Sequence, residues 1–254
     1  MNKLKELYSL EGRTVIVTGA SSGLGLNQAV MLANCGAKVY ALSRSGKVKV
    51  DYEGEIPGNV IFRKLDVTDE QNIREVFGEI GSTDGIDVLV NNAGITKREK
   101  AEEISLEGWE AIHKVNVTGV FACCKHAFPY LKKSEYTGRI INISSMASYL
   151  GFSEVTPYCS SKSAVLGITR GLAVEWSSEN ILVNSVSPGW FPSEMNRQVM
   201  DEDRKASILN RMPLHRFGNP DELSPVICFL ASPAATYITG QDFSVDGGAL
   251  AYGF

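Results

Sequence analysis

The feature that most restricts the fold of this chain lies near its amino terminus. Thr14-Val-Ile-Val-Thr18 is a short β-branched run, Thr18-Gly-Ala-Ser-Ser-Gly-Leu-Gly25 follows at once, and Leu24 to Asn34 then carries small and apolar residues at three-to-four spacing. The first segment reads as a strand, the last as a helix, and the glycines as the turn between them. Gly19, Gly23 and Gly25 let the backbone reverse sharply and approach a ligand, and the N–H groups and positive end of the following helix suit a pyrophosphate. Strand, glycine turn and helix in that order predict an α/β domain that takes a dinucleotide across its first turn, with Ser21, Ser22 and Leu24 in the cradle beside the glycines.

The alternation continues along the chain. Lys38 to Ser43, Val60 to Asp66, Asp87 to Asn91, Arg139 to Ser144, Ile181 to Val186 and Asp242 to Asp246 are strand-like. Asp69 to Ile80, Ser105 to Lys133 with a break near Pro129, Pro157 to Ser177 and Pro220 to Leu230 are helical. Strands alternating with helices imply right-handed crossovers and a sheet covered on both faces. The expected fold is therefore α/β, a doubly wound parallel sheet of about seven strands in a single domain over 1–254. Two segments break the rhythm. Ser45 to Asn59 is too rich in Gly, Pro and charge for a helix, and the polar stretch 190–212 is a candidate substrate lid.

Composition narrows the partners. Lys and Arg total 25 against 29 Asp and Glu, a net charge of -4, with no basic stripe to neutralise phosphates, so no nucleic-acid partner is expected. The longest apolar stretch, Val115 to Leu131, carries Asn116, Lys125, His126 and Pro129, so no membrane span is expected either. Met1 to Leu10 lacks the apolar core of a signal peptide, and the 5 cysteines show no CxxC or ligand spacing, which points to reduced thiols in the cytoplasm. His113, His126 and His215 are scattered, and no metal is expected. The charge run Lys97 to Glu103 reads as a solvated loop.

The end of the second strand selects between dinucleotides, because a carboxylate there holds ribose hydroxyls whereas a basic group favours a 2′-phosphate. Ser43 and Arg44 stand there with no acid beside them, which favours NADP(H) over NAD(H).

Asn91-Asn-Ala-Gly94 closes the fourth strand, Asn116 sits within the long helical region, and Tyr158-Cys-Ser-Ser-Lys162 opens the helix after the fifth strand. With the glycine turn, Asp66, Ser187-Pro-Gly189 and Val245-Asp-Gly-Gly248, these motifs make the chain resemble the short-chain dehydrogenase/reductase family from about Gly12 to Gly248. Tyr158 and Lys162, four apart, lie on one helix face, so the ammonium is expected to draw the phenol below its usual pKa near 10, toward general acid/base work. The family's serine stands thirteen residues before the tyrosine, which selects Ser145 over Ser144 and leaves Ser144 a local structural role. Ser145 and Tyr158 would donate to a carbonyl oxygen where charge develops as hydride reaches its carbon. The resemblance further implies that Lys162 holds the nicotinamide ribose and that Asn116 keeps a water in a proton relay. It also assigns Asp66 and Val67 to the adenine, Asn91, Ala93 and Gly94 to the adenosine and ribose side, and Pro188 and Gly189 to the nicotinamide face. Trp190-Phe-Pro-Ser193 departs from the family's usual residues, leaving Phe191 and Ser193 to meet the carboxamide through backbone and hydroxyl.

The chemistry so implied interconverts a ketone and a secondary alcohol. Pro188-Gly-Trp-Phe-Pro-Ser-Glu-Met195, with Pro213 to Glu222, is similar to gluconate 5-dehydrogenases and related sugar-acid or polyol oxidoreductases, and a like phrase occurs in 3-oxoacyl-carrier-protein reductases. Glu179 stands where carrier-protein reductases often have a basic residue, which counts against an acidic carrier, although Lys132 and Lys133 compensate in part. Arg197, Arg211 and Arg216 are candidate cations for a sugar acid, while Trp190, Phe191 and Phe152 would suit a bulkier ketone. An inactive dinucleotide-binding redox sensor would show a broken Ser, Tyr or Lys, and none is broken. The resemblance implies a homo-oligomer, dimer or tetramer, in which Ala122, Cys123, Cys124, Ala164, Val165 and Ile168 are either interface or intrachain core.

Overall fold

The structure is a computed structural model that describes residues 3–49, 52, 54–192 and 201–252. Seven strands, β1 (Thr14–Thr18), β2 (Lys38–Ser43), β3 (Val60–Lys64), β4 (Val88–Asn91), β5 (Gly138–Ile143), β6 (Ile181–Pro188) and β7 (Asp242–Val245), form one sheet in the order β3-β2-β1-β4-β5-β6-β7. Every pairing is parallel. Strand order therefore reverses between β1 and β4, and ligands of such sheets bind at the carboxyl ends of the strands beside that reversal.

The pleat sorts the core into two layers. Val15 and Val17 of β1 join one apolar cluster with Ala29 and Leu32 of α2 (Gly23–Asn34) and Leu223, Ile227 and Leu230 of a late helix, Pro220–Ala231. Ile16, between them, points the other way, into a cluster with Ile73 and Phe77 of α3 (Glu70–Thr83), Val120 and Ala127 of α5 (Gly119–Leu131) and Leu172 of α6 (Thr156–Glu175). A short α1 (Lys3–Tyr8), absent from the sequence reading, precedes them. No helix occurs among the described residues of 45–59. Residues 193–200 of the candidate lid lie outside the described residues, and Glu202–Arg211, here α7, ends it before the Pro220–Ala231 helix, α8. Ala122, Cys123, Cys124 and Val165 are buried within the chain, which gives them the intrachain role.

The long helical region breaks elsewhere than at Pro129. α4 (Leu106–His113) passes through a π-helical turn at Lys114–Thr118 into α5, which runs past Pro129 to Leu131. The Lys132 N–H still donates to the Phe128 carbonyl at 2.9 Å. Such π turns commonly mark functional positions, and this one presents Asn116. Pro129 leaves one carbonyl of α5 without its helical N–H, so Pro129→Ala is expected to raise unfolding stability by about 1–3 kcal/mol in denaturant titration. An unchanged midpoint would contradict this reading.

Candidate active site

The glycine turn is built by contact. An added Cβ at Gly19, whose φ is +67°, would lie 2.8 Å from Ala93 Cα, and one at Gly25 would lie 2.5 Å from the Gly19 carbonyl oxygen and run into the Asn92 amide. Asn92 Nδ2 donates to the Thr18 and Gly19 carbonyls at 3.0 and 3.3 Å, and Thr18 Oγ1 accepts the N–H groups of Asn92 and Ala93, both at 3.1 Å. Gly23 is the opposite case. At φ +57° a Cβ there would meet nothing within 4 Å, and Ser22 precedes the helix without a side-chain cap. The first-turn N–H groups of α2 thus face a cleft with no side chain in the way, which fits a dinucleotide pyrophosphate.

That cleft, about 750 Å³, runs across the carboxyl edge of the sheet. One end is lined by Ser43, Arg44, Asp66 and Val67. Asp66 Oδ1 accepts the N–H and hydroxyl of Thr68 at 2.9 and 2.7 Å, and these bonds, with the charges of Arg44 and Lys114, hold its carboxyl below the usual range. Asn91 lies off the cleft, its amide donating to Asn142 Oδ1 at 2.9 Å and to Cys124 Sγ. Asn92 lines the cleft instead, beside Ala93 and Gly94. The sequence reading passed over Asn92, although the doubled asparagine at the strand end was the available signal.

The other end gathers Ser145, Tyr158 and Lys162. Ser145 follows β5 and accepts the Ala147 N–H at 3.1 Å. Ser144 is tied to Ser148 at 2.6 Å and donates to the Lys162 carbonyl at 3.1 Å, the local structural role expected of it. Lys162 directs its ammonium to the Ile143 carbonyl at 2.8 Å, and its Nζ lies 5.7 Å from the centroid of the Tyr158 ring. The expected lowering of the tyrosine pKa is not found. Burial raises the phenol above its ordinary value, the Ser145 hydroxyl pulls the other way, and burial also pushes Lys162 down to about 8. Asn116, fully buried, spends its carboxamide on neighbours: Oδ1 accepts the Ile95 N–H at 2.9 Å, and Nδ2 donates to the Ile95 carbonyl at 2.9 Å and to Ser161 Oγ at 3.0 Å.

Pro188, Gly189, Trp190 and Phe191 close this end from β6. Trp190 meets Phe152 edge to face, centroids 5.9 Å apart, and Met146 and Val155 extend the apolar wall. Ser193 and Arg197 lie outside the described residues. Arg211 does not line the cleft, and Arg216 is bound to both carboxylate oxygens of Glu222 at 2.7 Å, so neither offers a described cation to a substrate. Glu179 precedes β6 at the opposite edge of the sheet, in an ion pair with Lys132 at 2.6 Å. At about 3.3 Å per residue, β6 separates it from the cleft by its own length, so the charge argument drawn from Glu179 does not reach this mouth. Among the described residues no group of three His, Cys, Asp or Glu is placed to hold a metal, and no helix is long and apolar enough to cross a membrane.

Residues 19–249 match the model of the enoyl-(acyl carrier protein) reductase family. The chain is 40% identical to 3-oxoacyl-(acyl-carrier-protein) reductase FabG of Thermotoga maritima, over 94% of this chain and 98% of that protein. It is 36% identical to 2-dehydro-3-deoxy-D-gluconate 5-dehydrogenase of Bacillus subtilis, over 98% and 99%. Among solved structures, a gluconate 5-dehydrogenase from Burkholderia cenocepacia, in complex with NADP and tartrate, superposes with a TM-score of 0.90 at 32% identity, covering 98% of this chain and 99% of that one. The chain belongs to the short-chain dehydrogenase/reductase family, whose members are NAD(P)-dependent oxidoreductases acting on CH–OH or carbonyl groups.

The buried Lys162 carries a testable cost. Its pKa near 8 lies below the ordinary lysine value of about 10.4, so burying the ammonium opposes folding at pH below 8, and the cost fades as pH rises toward 10. Lys162→Met is expected to melt roughly 5 °C above the parent at pH 7, with a smaller gap at pH 9.5. A lower melting temperature at both pH values would show that the bond to Ile143 outweighs the burial.

Proposed function

We propose that this protein interconverts a ketone and a secondary alcohol with NADP(H), Tyr158 serving as general acid/base. The observation that carries the reading is the meeting of Ser145, Tyr158 and Lys162 at one end of a cleft whose other end is an open helix N-terminus flanked by Arg44. A bound nicotinamide supplies or takes up the hydride at the substrate carbon. In the reducing direction, Ser145 and Tyr158 donate hydrogen bonds to the carbonyl oxygen, and the phenol proton passes to that oxygen as negative charge builds there. The phenol's raised pKa keeps it protonated until the oxygen demands the proton, and Lys162 stabilises the phenolate left behind. Asn116 acts as a positioning residue, fixing Ile95 and the start of α6. Gly19, Ser21, Ser22, Gly23, Leu24 and Gly25 cradle the pyrophosphate, Asp66, Val67, Ala93 and Gly94 the adenosine and ribose, and Pro188, Gly189 and Phe191 the nicotinamide.

For the substrate, a sugar acid or polyol is the first reading, supported by the 36% identity to the Bacillus subtilis 5-dehydrogenase and by the tartrate-bound neighbour. A 3-oxoacyl thioester is the second, favoured by the apolar wall of Met146, Phe152, Val155 and Trp190 and by the Thermotoga maritima relative. The segment 190–212 serves as lid, and its Asp201 pairs at 3.0 Å with Arg98, which also binds Glu154 at 2.5 Å. The protein works in the cytoplasm as a dimer or tetramer.

Absorbance assays with NADPH and NADH against 5-ketogluconate, other ketoses, a 3-oxoacyl thioester and a steroid ketone test this reading. Turnover of NADPH with 5-ketogluconate is expected, falling about 10²–10⁴-fold in Tyr158→Phe. Turnover of the thioester alone would establish the second substrate reading, and faster turnover with NADH would overturn the cofactor preference. Cofactor binding without turnover of any of these ketones would point to a carbonyl outside the panel or to a sensor.

A further inference from the structure

The connection between β2 and β3 does more than cross the sheet. It carries no helix among its described residues, and its first residues fold back over the strand ends. Ser43 Oγ meets Ser45 Oγ at 3.2 Å, the Gly46 N–H donates to the Ser43 carbonyl at 3.1 Å, and Ser45 Oγ donates to the Lys47 carbonyl at 2.9 Å. Gly46 makes the reversal possible, since at φ +64° an added Cβ would lie 2.6 Å from Lys64 Cγ and 2.9 Å from its backbone nitrogen. The backbone N–H of Lys49 then donates to the Ser21 carbonyl at 2.9 Å, pinning the loop to the glycine turn.

The result brings Lys49 to the same end of the cleft as Arg44 and Ser45. Both cations are exposed, and neither makes an ion pair with a described residue. The acid at this end, Asp66, is already engaged by Thr68. Two exposed cations lining the same cleft, neither of them ion-paired to a described residue, favour a dianion over a neutral sugar.

We infer that Lys49 is a specificity-determining residue, a second cation that works with Arg44 on the 2′-phosphate of the cofactor and lies outside the motifs of the sequence. The inference rests on the NADP(H) reading. Its test needs no turnover: titration calorimetry of the full chain with adenosine 2′,5′-bisphosphate and with adenosine 5′-monophosphate, at low and high salt. The parent should bind the bisphosphate more tightly. Lys49→Met should weaken the bisphosphate about five- to tenfold and the monophosphate less than twofold, with an unchanged melting temperature, and Lys49→Arg should restore the preference. The preference should shrink with salt. A parent preference that survives intact in Lys49→Met, or an equal loss for both ligands, would overturn the role of Lys49 alone. No preference in the parent would overturn the NADP(H) reading, and this inference with it.

Discussion

The contact on which the rest depends is the approach of two backbones at the point where strand order reverses. Thr18 and Gly19 leave β1 against Asn92 and Ala93 leaving β4, close enough that a single Cβ at Gly19 would lie 2.8 Å from Ala93. The Thr18 hydroxyl and the Asn92 amide stitch the two chain ends together, with Gln28 of α2 donating to Asn92 Oδ1 at 3.3 Å. This packing aims the first turn of α2 along the strand ends, and everything that binds there is placed relative to it. Packed backbones tolerate little adjustment, so the cradle is rigid before any ligand arrives.

The reacting end is organised by buried amides and carbonyls. Asn116 leaves its helix at a π turn and clamps Ile95 by both backbone groups, which fixes the stretch after the glycine of the Asn-Asn-Ala-Gly run. Gly94 fits under this clamp, its Cβ position 3.4 Å from Asn116 Oδ1 and 3.5 Å from Lys162 Nζ. Burial holds the pKa of this lysine down to about 8, well below that of a solvated lysine.

Much of this was legible in the sequence because its signals are local. β1, the glycine turn and α2 are contiguous, and Tyr158 and Lys162 declare a shared face by their spacing alone. The parallel sheet of seven strands followed from alternation, with strand ends off by a residue or two, as at Lys64. What stayed hidden depends on contacts far apart in the chain. Asn91 ends β4 with its side chain turned into the core while Asn92, one residue past the strand, turns to the cleft, Lys49 reaches the cleft only because a loop bonds back to Ser21, and Glu179 is set apart from the mouth by the direction of β6. The phenol of Tyr158 illustrates the same limit. Helical spacing puts a cation near it but says nothing of burial, and burial decides the direction of the shift.

The cleft is also divided by chain order. One end of its lining is drawn from residues 19–68 and the other from residues 143–191, with residues 92–96 from the end of β4 lying between them. Changes at sites this well separated combine additively when they share no partners. The architecture therefore lets dinucleotide preference and carbonyl selectivity be retuned independently, each by exchange of loops on its own side of the seam, while the seam itself admits almost no variation.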